Sequence, residues 1–198
     1  MKILYSPASP YSAKVRIAAR YTGLPVESEV VKTDEEPSLL IANNPLGKIP
    51  VLLRDGEPPV FDSRAIMQFL DRQSGGKLYP VDPAARTQAE VLEALADGIT
   101  DCLIAHVYER RFRPEEKIHQ PWLDKQWSKV TRGLAWLEAN PVSFAGGLTG
   151  GHMALAALSG YLELRFAGQW ETLWPGHGAF TAEFESRFPA YAEFKSQG

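Results

Sequence analysis

The chemistry this sequence can do begins at Ser9-Pro10-Tyr11-Ser12, inside the stretch SPASPYSAKVR. The spacing is that of a Cys-x-x-Cys dithiol with both sulfurs replaced by hydroxyls. Serine followed by proline is also a good helix start, with Ser9 as the N-cap and Pro10 in the first turn. The same geometry aims the Ser9 hydroxyl and the positive end of the helix, worth about half an elementary charge, at whatever lies beyond them. Only a thiolate is a good sulfur nucleophile, and a free thiol has a pKa of about 8.5. Lowering that pKa by about two units takes about 2.7 kcal/mol of selective stabilisation. A hydroxyl donor and a helix N-terminus can supply it. From the residues alone the stretch suits a plain helix start or the stabilisation of an anion, a thiolate among them, brought to the helix end.

Two further stretches offer backbone groups. Ile49-Pro50 precedes an apolar run, and proline is common as the first residue of a strand. Asp62-Ser63 precedes a helical pattern, where an Asp or Ser caps the helix and the free N–H groups also form an anion site. Cys102 is the only cysteine, so no internal disulfide can form and no cysteine cluster can hold a metal. A chain without disulfides fits a reducing cytoplasm, which is the expected location.

The elements that must position these residues fall into two regions. Lys2 to Tyr5 reads as a strand. Pro10 to Thr22 reads as a helix stopped by Gly23 and Pro25. Val26 to Val31 alternates with period two, and strand, helix, strand at this spacing makes a βαβ unit with parallel strands. A helix or loop is expected near Glu35 to Asn44. Pro50 to Arg54 and Pro59 to Phe61 flank Asp55-Gly56, a hairpin signal of the type with positive φ at both central positions. Ser63 to Gln73 is a helix with Ile66, Phe69 and Leu70 on one face. This β-α-β-α-β-β-α order is that of the thioredoxin fold. It is expected to occupy residues 1–77, with a stiff linker at 78–83 and an all-α domain at 84–198. In that second region Leu92, Leu95, Ile99 and Leu103 share a helical face, as do Leu123, Trp127, Val130, Leu134 and Leu137. Thr149 to Phe166 is apolar on most sides and reads as a central helix, and Phe180, Phe184 and Phe188 mark a last amphipathic one.

At 198 residues, 44% hydrophobic and 23% charged, the chain has the composition of a globular protein with a real core. A net charge of −3 provides neither a basic field for nucleic acid nor a polybasic membrane anchor. No apolar run is long enough for a signal peptide or a membrane span. Nucleic acid and lipid are thus not the expected partners.

The stretches SPASPYSAKVR, NNPLGKIPVL, FDSRAIMQFL and GYLELRF, in that order along the whole chain, resemble the cytosolic glutathione S-transferases, and the first resembles the serine- and cysteine-type, bacterial-like members. The resemblance implies glutathione as co-substrate, a small electrophile as second substrate, a detoxifying conjugation reaction, no metal, and a two-fold homodimer. It implies that Ile49-Pro50 is cis, turning the backbone of Ile49 outward to pair with the cysteinyl part of glutathione. Asp62 would pair with the γ-glutamyl ammonium and Ser63 with its carboxylate, while Lys48 and Lys32 are candidates for the glycyl carboxylate. Ser9 is the candidate thiolate donor, and Tyr5, where tyrosine-type members carry their hydroxyl, is the alternative. For the electrophile pocket the candidates are Tyr11, His106, Tyr108, Arg110 and Phe112, with Arg111 and Trp122 beside them.

Two features depart from the family pattern. Tyr11 stands where the maleylacetoacetate isomerase branch has cysteine, which weakens an isomerase reading, and Ser9 cannot form the mixed disulfide that a thiol-disulfide oxidoreductase needs. A non-catalytic, ligand-carrying or regulatory member is the alternative to the enzyme. The central helix opens with Thr149-Gly150-Gly151-His152 where the family usually has a Ser/Thr-x-x-Asp capping box. His152 is expected to be a weak cap, accepting through a neutral ring nitrogen, with no catalytic role.

Overall fold

The computed structural model describes all residues, Met1–Gly198. Its first part contains β1 (Lys2–Tyr5), α1 (Pro10–Thr22), β2 (Glu27–Val30), α2 (Ser38–Asn43), β3 (Val51–Arg54), β4 (Glu57–Val60) and α3 (Ser63–Gln73). The strands form one sheet in the order β2-β1-β3-β4, with β1 and β2 parallel and the other pairs antiparallel. This is the thioredoxin-like topology. Glycine ends α1 as expected: Gly23 takes φ 77° and returns its N–H to the Arg20 carbonyl.

The hairpin differs from its sequence reading. Gly56 has φ 74°, but Asp55 keeps a negative φ, so only one central position is left-handed. Strand β4 begins earlier than expected, at Glu57, and the register slips by one residue between the Leu52–Val60 and Arg54–Glu57 pairs. Pro58 and Pro59 lie within that slip. Neither can donate to the ladder, and an edge strand with a bulge is where prolines are tolerated.

The helical part follows with α4 (Pro83–Phe112), α5 (Gln120–Ala139), α6 (Gly150–Phe166) and α7 (His177–Arg187). Helix α6 is buried over nearly its whole length, as its all-round apolar sequence requires. One continuous apolar core runs from Ile3 and Val15 through Ile66 and Tyr79 to Leu103, Leu158 and Tyr191, joining both parts. The connecting segment is built into it: Leu78 and Tyr79 are buried, and the Leu78 carbonyl accepts the first N–H of α6, from Gly150, at 2.7 Å. No helix is long and apolar enough to cross a membrane.

The start of α6 is better capped than its sequence suggests. His152 Nδ1 accepts the Thr149 backbone N–H at 3.1 Å and lies 2.8 Å from the Thr149 hydroxyl. Its Nε2 lies 3.2 Å from the Ser143 carbonyl, and its ring packs at a tilt against Phe144 with centroids 4.7 Å apart. Burial holds the imidazole below its ordinary pKa, so it is neutral. With Nδ1 accepting, Nε2 carries the proton and donates to Ser143. The ring performs the capping carboxylate's task and ties down the preceding loop as well.

Candidate functional site

Ser9 is the N-cap of α1, with φ −86° and ψ 118°, and its Oγ accepts the Ser12 N–H at 3.2 Å. A hydroxyl accepting one bond still has its hydrogen to donate. The loop before it is folded by the Ser9 N–H bonding the Ser6 carbonyl, and it is braced by Gln197, whose N–H reaches the Pro7 carbonyl at 3.0 Å. Tyr5 stands elsewhere. Its ring packs under the Arg16 guanidinium, 4.0 Å from the ring centroid, against the main core.

Across from Ser9 stands the loop that carries Lys48 and Ile49. The Ile49-Pro50 peptide is cis, and the backbone N–H and C=O of Ile49 take no part in backbone hydrogen bonding. Sequence reading missed the residue that shapes this loop. Asn44 is buried. Its Oδ1 accepts the Leu46 N–H at 3.1 Å and its Nδ2 donates to the Lys48 carbonyl at 2.8 Å. Asn before Pro is a turn signal, and Gly47 at φ 61° completes the turn.

Ser9, Tyr11, Lys48 and Ile49 border one cleft of about 370 Å³, walled on the helical side by Tyr108 and Arg111 of α4 and by Tyr161 and Arg165 of α6. The Tyr11 hydroxyl donates to the Asp101 carboxylate, and burial followed by that carboxylate pushes the phenol well above the usual tyrosine range. Arg111 is ion-paired with Asp34 across the mouth. Tyr161 is pushed up to about 12 by burial, with the nearby Arg165 pulling the other way.

The remaining candidates lie apart from this cleft. Asp62 caps α3 by accepting the Arg64 N–H at 3.1 Å, and Ser63 is buried as its first residue. Neither lines the cleft. Lys32 is ion-paired with Glu35 at 3.0 Å. His106 and Arg110 open instead on a larger concavity, about 810 Å³, between α4, α5 and the end of α6, where Arg165 borders both hollows, because they lie on a different face of α4 from Tyr108 and Arg111. Phe112 and Trp122 are exposed outside the cleft. The larger hollow contains none of Ser9, Lys48 or Ile49, so size alone does not mark the chemistry. Beneath the cleft, Lys14 of α1 binds Glu93 at 3.0 Å and both oxygens of Asp97 at 2.9 and 2.8 Å, and Arg64 reaches Asp97 at 3.3 Å. This network ties the helix behind Ser9 to the start of α3.

A family profile for the glutathione S-transferase N-terminal domain matches residues 4–78. The GST-like protein YibF of Escherichia coli K12 is 31% identical over 139 residues, 70% of this chain and 68% of that protein. The chain belongs to the glutathione S-transferase family. Among solved structures, a family member from Pseudomonas fluorescens Pf-5 with bound glutathione is 34% identical, with a TM-score of 0.89 over 100% of this chain and 99% of the other. The same bacterial protein has been solved with S-(propanoic acid)-glutathione. A glutathione S-transferase from Methylobacillus flagellatus KT with glutathione bound is 33% identical, with a TM-score of 0.88 and 99% of each chain covered.

Proposed function

We propose that this protein is a glutathione transferase that binds the tripeptide in the cleft beside Ser9, holds its sulfur as the thiolate and adds it to a small electrophile. The observation that carries the reading is convergence. The free edge of Ile49 and the hydroxyl-bearing N-terminus of α1 face one cleft, so a peptide paired with the first delivers its sulfur to the second. In the bound state Ser9 Oγ–H donates to the sulfur, and the helix end adds its partial positive charge. Lys48 stands at the same edge with a free ammonium for the glycyl carboxylate. Asp62 and Ser63, at the N-terminus of α3, take the γ-glutamyl ammonium and carboxylate. Catalysis is then the sum of thiolate stabilisation and the positioning of two reactants in one cleft. Relatives of more than 30% identity over the whole chain that were solved with glutathione bound support glutathione as the ligand.

The test is the thiol pKa of bound glutathione, read from ultraviolet thiolate absorbance. Ser9→Ala is expected to raise it by about one to two units, the worth of one hydrogen bond to a charged group, and Tyr5→Phe to leave it in place. The opposite result assigns the role to Tyr5. Binding to immobilised glutathione without turnover of aryl halides, epoxides or unsaturated carbonyls would instead favour a ligand carrier.

A further inference from the structure

We propose that Tyr161 and Arg165 select the second substrate, and that it is an electrophile bearing a carboxylate. The inference rests on the glutathione reading above and adds to it the chemistry of the opposite wall. The cations around the cleft can be accounted for one by one. Arg111 is occupied by Asp34, Arg64 by Asp97 and Lys32 by Glu35. Arg110 faces the other concavity, and Lys48 stands at the peptide-binding edge. That leaves Arg165, which stands at the end of α6 where the cleft and the larger hollow adjoin, lines both, and has no carboxylate partner in the chain.

Tyr161 precedes it by one helical turn, on the same face of α6. The residue is only 4% exposed, its ring packs against Phe166, and its hydroxyl has no hydrogen-bond partner within the chain although the side chain borders the cleft. Its raised pKa keeps that hydroxyl protonated and hence a donor. A phenolic O–H and a planar guanidinium one turn apart match the two oxygens of a carboxylate, the geometry in which arginine binds most selectively. The same cleft is also lined by Ile104, Val107 and the ring of Tyr108, and its one carboxylate, Asp101, is occupied by the Tyr11 hydroxyl. The pocket thus sets apolar side chains beside a cationic clasp. It also gives a role to the GYLELRF stretch, which neither the peptide edge nor the thiolate site uses.

For an activated alkene the step balances without further reagents. The thiolate adds to one carbon of the double bond and a C–S bond forms. The π pair moves onto the activating carbonyl, and a proton from water completes the neighbouring C–H. The carboxylate is unchanged and serves as the handle.

The experiment is calorimetric titration of the full-length protein with glutathione and with two thioethers, S-(4-carboxybenzyl)glutathione and S-(4-carbamoylbenzyl)glutathione, which differ in charge at the far end. The acid is expected to bind about ten-fold or more tightly than the amide, the factor typical of a charge-assisted pair. Arg165→Met is expected to erase that ratio, Arg165→Lys to restore part of it, and Tyr161→Phe to reduce it by a smaller factor. Equal affinities in the parent protein, or a ratio that survives Arg165→Met, overturn this inference while leaving the proposed function standing. Failure of glutathione itself to bind the parent removes both.

Discussion

At the residue scale, Lys14 is the side chain on which the cleft's framework most depends. It is 1% exposed, and its ammonium lies within hydrogen-bond distance of Glu93 and Asp97, both also buried. Tyr79 donates to Glu93 from the connecting segment, and Arg64 approaches Asp97 from α3. Two buried carboxylates are tolerable only while cations compensate them. Removing one partner of such a group strands its charge, at a cost of about 3–5 kcal/mol. Lys14→Met is therefore expected to lower the urea-unfolding free energy by about that amount. The Lys2–Glu29 pair, equally short at 2.8 Å but about 40% exposed on both sides, is the contrast. Lys2→Ala is expected to change stability by less than about 1 kcal/mol, since water and salt screen such a pair. Equal effects of the two substitutions would show that burial is not what distinguishes them. Cys102 shows the same logic in reverse. It is buried on the α4 face away from Ser9 and burial pushes its thiol up, so it lacks the thiolate character that redox exchange requires.

At the element scale, the start of α6 decides how the helical part meets the rest. A Cβ at Gly151 would stand 2.6 Å from the Ala89 carbonyl oxygen and 2.9 Å from Leu92 Cβ, so α6 can approach α4 this closely only with glycine there. Gly151→Ala, although it favours the helix by propensity, is expected to destabilise by about 1–3 kcal/mol through overpacking, measured by thermal or urea unfolding. His152 adds a pH dependence. Its pKa is lowered in the folded state, so the unfolded chain binds the proton more readily. The stabilisation is then present above the ordinary value of 6.5 and is lost as pH falls below it. His106 and His177 shift the same way, also through burial. The urea midpoint is expected to fall from pH 7 to pH 5, with a shallower fall in His152→Gln. Much of this was legible beforehand. The βαβ spacing, the Ser9 and Asp62 caps, the Gly23 stop and the apolar α6 are local patterns, and each is found where its residues placed it. The rest depends on tertiary neighbours. Nothing local says that His152 meets the Ser143 carbonyl, that Pro58-Pro59 shifts a register, or that Arg110 and Arg111 diverge to separate hollows. The same holds for Tyr161 and Arg165. Their four-residue spacing is visible in the sequence, but the cleft they share with Ser9 is made by the folding of α6 against α1.

At the scale of the whole molecule, one surface is left without a partner by this chain. On the outward side of α4 and α5, Leu95, Ile99 and Cys102 border a shallow hollow closed by Trp136. Trp136 is 47% exposed and Val91, one turn from Leu95, is 54% exposed. Gly98 lines the same face with open space above it, so another backbone can approach there, while Gly133 is covered by Ile99 of the same chain. Lys129 and Arg132 stand at its edge, giving an apolar centre with a charged rim, the anatomy of an association surface. A second copy of the same chain is the simplest occupant, because a two-fold axis pairs a patch with itself and closes the assembly at two. We therefore expect a homodimer of about twice 21.9 kDa, with Trp136 close to the axis. Burying a tryptophan of this exposure contributes roughly 1.5–3 kcal/mol per copy, and a charge in its place must be desolvated on association. Trp136→Glu is thus expected to shift the protein toward monomer in sedimentation at micromolar concentration, with its far-ultraviolet circular dichroism retained. Since the cleft beside Ser9 is assembled from one chain, the monomeric variant should still bind glutathione. A parent protein that sediments as a monomer at micromolar concentration rules out the dimer. A Trp136→Glu variant that stays dimeric places the interface on another face of the molecule.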